Sequence, residues 1–257
     1  MTGPRVLVTR PLREAQRWVQ TLQARGIEAS ALPLLAIEPL QVQKSLRQLR
    51  EVQARAGEFD AWMFVSSAAV SHFMPDGQTA SGPRCWATGP GTAAALREAG
   101  VPDSRIDAPS PAAGQFDSEA LWPIVRGQIG AGSRVLFVRG GDASGQAAGR
   151  DWLSLQVADT GAAQETVVVY RRVPPSWGEV EHRLAQAASS DGSLWLFSSS
   201  QAIANLLLAV PQVDWSQARA IATHPRIAQA ATSAGFGQVH QAPAGLDALV
   251  ASIESFQ

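Results

Sequence analysis

Cysteine is nearly absent from this chain of 257 residues, because Cys85 is the only one. A single cysteine excludes an internal disulfide and any metal site that needs several thiolates. Sparse cysteine use favours the cytoplasm, which we expect as the location. The chain begins directly with a short strand-like run, and no positively charged and then apolar leader is present, so no secretion signal is expected.

Long apolar runs and an excess of charge are missing as well. No run approaches the roughly 18 apolar residues of a membrane-spanning helix, so we expect no membrane contact. The 21 basic and 22 acidic residues give a net charge of -1, which provides no basic field for nucleic acid. Lys44 is the only lysine and lies in a polar helical stretch, which argues against Schiff-base chemistry. Binding of an anion would therefore use arginine or backbone N–H groups.

Signatures of several common chemistries do not occur. Gly89-Pro90-Gly91 resembles half of a dinucleotide-binding fingerprint, but the third glycine and the later acidic residue are missing. There is no P-loop and no G-x-S-x-G elbow of a serine hydrolase. Because these motifs are missing, we expect no cofactor. We also expect no metal, since the four histidines lack metal-ligand spacing: His72, His182, His224 and His240.

An internal repeat is the strongest pattern that is present. Five short segments recur in the same order about 129 to 135 positions later, which predicts two copies of one α/β unit. The pairs are Val6–Arg10 with Val135–Arg139, Trp62–Ser67 with Trp195–Ser199, Ala87–Pro90 with Ala222–Pro225, Ala99–Gly100 with Ala234–Gly235, and Ala108–Pro109 with Ala242–Pro243.

Within each copy, short apolar runs alternate with helical patterns. Helices are predicted over 13–25, 45–56 and 92–99, with Gly26 and Gly100 ending the first and the last. The runs between them predict strands of four to six residues that are buried on both faces, as in a parallel sheet covered by helices on both sides. The alternation therefore predicts a doubly wound parallel sheet in each copy.

Two extended segments bounded by proline interrupt this alternation. They are Leu34–Leu40 and Thr166–Val173, which lie near corresponding points of the two copies. We interpret them as a two-strand bridge between domains. The chain would then leave one domain near residue 36, build the second, and return near residue 172.

Polar residues follow the predicted strands, and ligands of open parallel sheets bind beyond these carboxyl ends. Hydroxyls, exposed N–H groups and arginines suit a ligand with several carboxylates, although serine and threonine at such points also cap helices. The candidates are Thr9, Arg10, Ser66, Ser67, Thr88, Gly89, Arg139, Gly140, Gly141, Ser198, Ser199, Ser200, Thr223 and His224, with Arg150 and Arg171 as further arginines. Tyr170, the only tyrosine, ends the apolar run of the second bridge segment.

Taken in order, several of these segments resemble the uroporphyrinogen-III synthases. The resemblance runs from residue 5 to about 250, and its specificity lies in the order and spacing of short motifs. The segments are Val6–Pro11, Phe64–Ser67, Ala87–Ala93, Asp117–Glu119, Val138–Gly140, Glu165–Tyr170 and Phe197–Ser199.

The resemblance implies two flavodoxin-like parallel-sheet domains joined by a two-strand linker, with the active site in the interdomain cleft. The first domain would comprise residues 1–36 and 174–257, and the second residues 38–170. The linker strands would cover about 33–41 and 166–174.

It also implies the reaction, in which hydroxymethylbilane, a linear tetrapyrrole, loses water and closes to uroporphyrinogen III with inversion of ring D. The family uses no metal or organic cofactor. The expected partners are this substrate and, transiently, the preceding enzyme of the pathway, with no nucleic acid and no membrane. A monomer is expected, since the sequence has no long exposed apolar stripe.

Site residues follow from the resemblance. Tyr170 and Thr92 would be catalytic, with Tyr170 protonating the departing hydroxyl, and single substitutions elsewhere would weaken activity rather than abolish it. The substrate-binding residues would be Thr9, Arg10, Ser66, Ser67, Thr88, Gly89, Ser118, Arg139, Gly140, Ser198, Ser199 and His224.

The chain departs from the family pattern at three positions. His224 and Ile227 replace a usual glycine and threonine, and Ala120 replaces a common glycine. Two alternatives remain open at this point: a two-lobed sensor or solute-binding protein, and a nucleotide-sugar transferase without the cyclising activity.

Overall fold

The computed structural model describes residues 3–74, 82–110, 116–149, 151–243 and 245–255. The chain divides into two compact units. Unit 1 comprises Met1–Ala36 and Pro174–Gln257, and unit 2 comprises Ile37–Val173.

Strands and helices alternate along nearly the whole described chain. The strands are β1 (Val6–Val8), β2 (Ala29–Ala31), β3 (Ala36–Pro39), β4 (Ala61–Phe64), β5 (Arg84–Ala87), β6 (Ile106–Asp107), β7 (Arg134–Gly141), β8 (Ala163–Val173), β9 (Leu194–Phe197), β10 (Arg219–Ala222) and β11 (Gln238–Gln241). The α-helices are α1 (Leu12–Gln23), α2 (Gln43–Ala54), α3 (Ser67–Phe73), α4 (Pro90–Glu98), α5 (Ser118–Val125), α6 (Trp152–Asp159), α7 (Glu179–Ala187), α8 (Ser200–Ala209), α9 (Pro225–Ser233) and α10 (Leu246–Glu254).

Each unit is built on one sheet. In unit 1 the order is β11-β10-β9-β1-β2, and neighbouring strands are parallel. In unit 2 the order is β3-β8-β7-β4-β5-β6, in which β8, β7, β4, β5 and β6 run parallel and β3 borders β8. Both sheets therefore have a strand order that requires helical crossovers, as the alternating pattern predicts.

Helices cover both faces of each sheet. In β1, Leu7 packs in one apolar cluster with residues of α7, α8 and α9, whereas Val6 and Val8 pack in a second with α1 and α10. The sheet of unit 2 likewise separates a cluster containing α2, α3 and α4 from one containing α5 and α6. The predicted doubly wound α/β class is confirmed. No helix in the described ranges has the length and apolar character needed to cross a membrane.

The internal repeat corresponds to equivalent strands of the two sheets. The repeated segments form β1 and β7, β9 and β4, and β10 and β5, which occupy the same places in the orders β2-β1-β9-β10-β11 and β8-β7-β4-β5-β6. The prediction of two copies of one α/β unit is therefore confirmed at the level of strand order.

Helix positions agree with the sequence patterns to within two residues, and strand lengths do not. The helix predicted from residue 92 begins at Pro90, because proline is well suited to the first helical position. The expectation of strands of four to six residues is wrong for β1 and β2, which have 3 residues each, and for β6, which has 2. It is also wrong for β7 and β8, which have 8 and 11 residues. These two strands continue to pair with each other beyond the other strands.

Aromatic rings form the centre of the larger cluster of unit 1. Trp195 is fully buried, stacks on Phe197 with ring centroids 5.9 Å apart, and meets Trp215 edge-on at 5.4 Å. Its indole N–H donates to the carbonyl of Ala188 at 3.0 Å. The large apolar area is thus buried with its one polar atom satisfied, which makes this ring a main contributor to stability.

Replacing this ring tests the packing of unit 1. Trp195→Ala should lower the free energy of unfolding by about 3–5 kcal/mol, because it leaves a large cavity and an unpaired Ala188 carbonyl. The control is Leu208→Ala on α8, whose side chain is 74% exposed and whose loss should change stability by less than about 0.5 kcal/mol. Denaturant unfolding followed by circular dichroism measures both variants. Equal unfolding midpoints for Trp195→Ala and Leu208→Ala would contradict the role of Trp195 as a main contributor to stability.

Candidate functional site

The carboxyl ends of the central strands of unit 2 lie level with one another. Phe64 of β4 pairs with Val138 of β7 and with Ala87 of β5. Two residues beyond these three positions, in the direction of each strand, lie Ser66, Gly140 and Gly89. Because strands that run in parallel end at the same edge of the sheet, these residues form one row there.

Tyr170 joins this row through an irregularity in β8. Arg139 pairs with Val168 and Gly140 pairs with Tyr170, so Val169 is an extra residue and the ladder contains a β-bulge. A bulge changes the direction of the side chains that follow it. Val169 and Tyr170 consequently pack in the same apolar cluster, although consecutive strand residues ordinarily face opposite sides.

Gly140 provides the space for the Tyr170 ring. An added Cβ at Gly140 would overlap Cε2 and Cζ of Tyr170 and would lie 2.7 Å from its Oη. The ring thus lies directly over the backbone of β7, where a side chain would otherwise stand. In this position it reaches the strand on the other side of β7, and Tyr170 Oη lies 3.0 Å from Ser66 Oγ.

Ser66 also caps a helix. It is the N-cap of α3, and its Oγ accepts a hydrogen bond from the backbone N–H of Ala69 at 3.1 Å. Ser67 is the first residue of that helix. The capping role that serine suggests at a strand-to-helix junction is therefore real, and the contact with Tyr170 is additional to it.

His72 packs against the tyrosine ring. Its ring centroid lies 5.7 Å from that of Tyr170 with the planes tilted by 40°. Burial lowers the pKa of His72 below its ordinary value, because the charged imidazolium is poorly solvated there. The sequence marks this histidine only as a possible metal ligand, and no local signal links it to a tyrosine 98 positions away.

The next strand ends contribute the remaining predicted residues of unit 2. Gly89 is the N-cap of α4, Thr88 precedes it, and Thr92 lies in the first turn with 6% exposure. Ser118 is the first residue of α5. The cap of α5 is Asp117, which accepts from the N–H of Ala120 at 2.9 Å. The sequence signal for that cap was available, since aspartate before a helical segment favours the N-cap.

The candidate arginines of unit 2 are engaged with carboxylates of the chain itself. Arg139 is 6% exposed and donates to Asp151 at 2.8 Å. Arg171 donates to Glu38 at 2.6 Å and to the Ala143 carbonyl at 2.9 Å. Arg150 lies outside the described residues. A substrate carboxylate at Arg139 or Arg171 would therefore have to compete with a partner that is already present.

Unit 1 presents a corresponding edge with different contacts. The hydroxyl of Thr9, which is 1% exposed, donates to the Leu196 carbonyl at 2.7 Å and ties β1 to β9. Arg10 lies over the ring of Trp18 at 4.7 Å and pairs with Glu14 at 3.3 Å. Desolvation lowers the pKa of Arg10.

Polar residues follow two further strands of unit 1. After β9 come Ser198 and Ser199, and after β10 come Thr223 and His224. Ser199 is the N-cap of α8 and accepts from the N–H of Gln201 at 3.2 Å. His224 is the N-cap of α9, where its Nδ1 accepts from the N–H of Arg226 at 3.1 Å. His224 thus performs the capping role that Gly89 has in α4. Ile227, at the place of Thr92, is 7% exposed and packs in the apolar core.

The repeat allows the two edges to be compared position by position. The offset of 133 that relates Trp62 to Trp195 places Ser66 at Ser199 and His72 at Asn205. Where β8 carries Tyr170, the chain after β2 carries Leu34 and Leu35, which are buried and apolar. Asn205 donates to the Leu34 carbonyl at 2.7 Å. The serine cap is therefore common to both units, whereas the phenol occurs in unit 2.

The cysteine and the lysine of the chain do not offer a reactive nucleophile. Cys85 is fully buried in β5, as expected, and burial raises its pKa to about 12, so its thiol is a poor nucleophile. Lys44 lies on α2 and is exposed. Within the described ranges, no three His, Cys, Asp or Glu side chains are grouped so as to hold a metal ion.

A family model described as uroporphyrinogen-III synthase HemD matches residues 16–251. The match covers far more than half of the chain. The chain belongs to the uroporphyrinogen-III synthase family. Membership confirms the family that the motifs indicate and supports the cyclisation step of tetrapyrrole biosynthesis as its activity.

Solved structures of the same family have the same fold. A mutant uroporphyrinogen III synthase from the extremely thermophilic bacterium Thermus thermophilus is 18% identical with a TM-score of 0.56, over 99% of this chain and 98% of that chain. The uroporphyrinogen-III synthetase from Helicobacter pylori is 14% identical with a TM-score of 0.54, over 99% and 100%. At such identities the likeness bears on the fold, and the individual site residues stay predictions.

The space at Gly140 can be tested by filling it. Gly140→Ala should lower the free energy of unfolding by about 1–3 kcal/mol, because the methyl group overlaps the Tyr170 ring. In a Tyr170→Ala background the same change should cost much less. Gly130→Ala is the control, since its added Cβ meets no atom within 4 Å. Equal costs for Gly140→Ala in the two backgrounds, measured by denaturant unfolding, would contradict the close approach.

His72 should make the protein less stable in mild acid. Its pKa is lowered in the folded state, so the unfolded chain binds more protons once the pH falls below about 6.5. The free energy of unfolding then decreases until the folded-state pKa is passed. His72→Phe should reduce this decrease, which thermal unfolding at about pH 7.5 and about pH 5.5 will measure. Parallel losses in the variant and the wild type would show that His72 does not contribute.

Proposed function

We propose that this chain closes hydroxymethylbilane to uroporphyrinogen III and that Tyr170 is its general acid. Family membership supports the reaction. The observation that supports the acid is the placement of the only tyrosine against Ser66, over a glycine, at the carboxyl edge of the sheet of unit 2.

The reaction makes an unusual demand on the protein. Free bilane closes spontaneously, but to the symmetric isomer I, so the enzyme has to favour a different attack on the same chain. Holding the substrate in the productive conformation supplies this preference, and interactions that strengthen in the transition state supply the rate. Many hydrogen-bond donors can share the first task, while proton transfer to the leaving group needs one defined acid.

Tyr170 fits the second task by its chemistry. As the C–O bond of the hydroxymethyl group breaks, the phenol proton passes to the departing oxygen. Water leaves, the pyrrole becomes an azafulvenium cation, and Tyr170 is left as a phenolate. A phenol is protonated at neutral pH and can therefore act as a donor there. Tyr170 is only 3% exposed, so binding of the substrate has to open its hydroxyl to the leaving group.

Hydroxyl and N–H donors of both units would bind the carboxylates of the bilane. In unit 2 these would be the first turns of α3, α4 and α5, with Ser67, Thr88, Gly89 and Ser118. In unit 1 they would be Arg10, Ser198, Ser199 and His224. Thr9 would act indirectly, by holding the ends of β1 and β9 together, since its hydroxyl already donates to the Leu196 carbonyl. Thr92, in the first turn of α4, stays the second residue expected to be catalytic. Placement of the active site between the two domains stays a prediction.

We further propose a cytoplasmic monomer that needs no cofactor, in keeping with the lone buried cysteine. Transient contact with the enzyme that supplies the bilane belongs to the same proposal. Neither the sensor nor the transferase alternative gains support from a particular contact in the described ranges.

Removing the phenolic oxygen tests the acid. Tyr170→Phe keeps the ring, so the fold should persist while formation of isomer III falls by about 100-fold or more. The control is Thr166→Val on the same strand, which removes a hydroxyl outside the row and should leave the rate unchanged. Purified variants are incubated with fresh hydroxymethylbilane, and isomers I and III are separated by chromatography after oxidation. A rate of isomer III formation near that of the wild type would exclude Tyr170 as the acid.

A further inference from the structure

The contacts of the Ser66 hydroxyl raise the question of which group donates. A serine hydroxyl carries one proton and two lone pairs. Ser66 Oγ accepts from the N–H of Ala69 at 3.1 Å and lies 3.0 Å from Tyr170 Oη. Either Ser66 donates to the phenol oxygen or the phenol donates to Ser66, and the two arrangements have opposite consequences for a proton that must reach a substrate.

We propose that Ser66 is a positioning residue that donates its hydrogen bond to Tyr170 Oη and so leaves the phenol proton free for the substrate. The proposal rests on the function proposed for Tyr170 above. It assigns Ser66 a role through the tyrosine, in place of the direct substrate contact expected from the sequence.

The first reason is the capping bond of α3. Ala69 donates to Ser66, and a hydroxyl that accepts a hydrogen bond becomes a stronger donor, because successive bonds polarise one another. A chain that runs from the Ala69 N–H through the Ser66 O–H to Tyr170 Oη therefore has all its dipoles in one sense. In the opposite arrangement Ser66 would accept twice and its own proton would take no part in the chain.

The second reason is the charge that develops on the tyrosine. When Tyr170 gives up its proton, its oxygen becomes a phenolate, and a hydrogen bond donated by Ser66 strengthens. An interaction that is stronger after proton transfer than before it lowers the barrier of that step. A phenol that donated to Ser66 would have to break this bond before it could protonate the leaving group.

The neighbours of the ring keep this geometry fixed. Gly140 leaves room for the ring on one side, and the His72 ring packs against it at 5.7 Å. In unit 1 the equivalent cap, Ser199, accepts from Gln201, and the adjoining stretch contributes Leu34 and Leu35. A capping serine thus needs no phenol, which indicates that the Ser66–Tyr170 contact serves a purpose specific to unit 2.

The direction of the hydrogen bond can be measured directly, because the chain has one tyrosine. The tyrosine doublet of the Raman spectrum changes its intensity ratio according to whether the phenol oxygen accepts or donates a strong hydrogen bond. We expect the ratio of an acceptor in the wild type and a shift away from it in Ser66→Ala. Ser66→Thr keeps a capping hydroxyl and should restore the wild-type ratio. The ratio of a donor in the wild type, or no change in Ser66→Ala, would overturn the proposal.

Turnover provides the second readout. Ser66→Ala should lower kcat for isomer III by about 10- to 100-fold with little change in KM, and Ser66→Thr should recover most of it. Ser66→Gly guards against loss of the helix, since glycine is tolerated as an N-cap while it removes the hydroxyl. An unchanged kcat in a folded Ser66→Gly variant would overturn the positioning role. Failure of the proposed function is separate, because it appears as absence of isomer III from the wild type, whatever the Raman ratio.

Discussion

The candidate site depends on the absence of a side chain at Gly140. The central strand of unit 2 separates the strand that leads to Ser66 from the strand that carries Tyr170, and a Cβ on it would occupy the place of the phenol ring. The bulge at Val169 brings Tyr170 level with this gap, and the cap of α3 holds Ser66 on the far side. The hydrogen bond between the two hydroxyls exists only because these three features coincide.

Duplication explains how such a site can arise without a new fold. Both units use the same strand order and cap corresponding helices with Ser66 and Ser199. Unit 1 fills the equivalent positions with Leu34, Leu35 and Ile227, which bury apolar area and stabilise the core. Unit 2 instead places polar groups there. A scaffold whose stability comes from apolar packing on both faces of the sheet can carry such polar exceptions at one edge.

The sequence was sufficient for the features that follow from local pattern. Alternating apolar runs and the proline and glycine at helix ends depend on residues close together in the chain, and they predict a doubly wound sheet. The repeat, found by comparing the chain with itself, predicts two such sheets. The bulge was out of reach, because strict alternation puts Val169 and Tyr170 on opposite faces and no residue type there signals an extra position. The contacts of Tyr170 with Ser66 and His72 join residues about 100 positions apart, and only the register of β4, β7 and β8 brings them together.

Ser66 and Tyr170, in the proposed mechanism, act as one unit in forming uroporphyrinogen III. A double-mutant cycle on kcat for isomer III, with Ser66→Ala, Tyr170→Phe and the combined variant, tests it most directly. If Ser66 works through the phenol, the combined variant is no slower than Tyr170→Phe alone, because the phenol oxygen that accepts the hydrogen bond of Ser66 is already absent. If the two losses multiply, Ser66 and Tyr170 act independently and the account is contradicted.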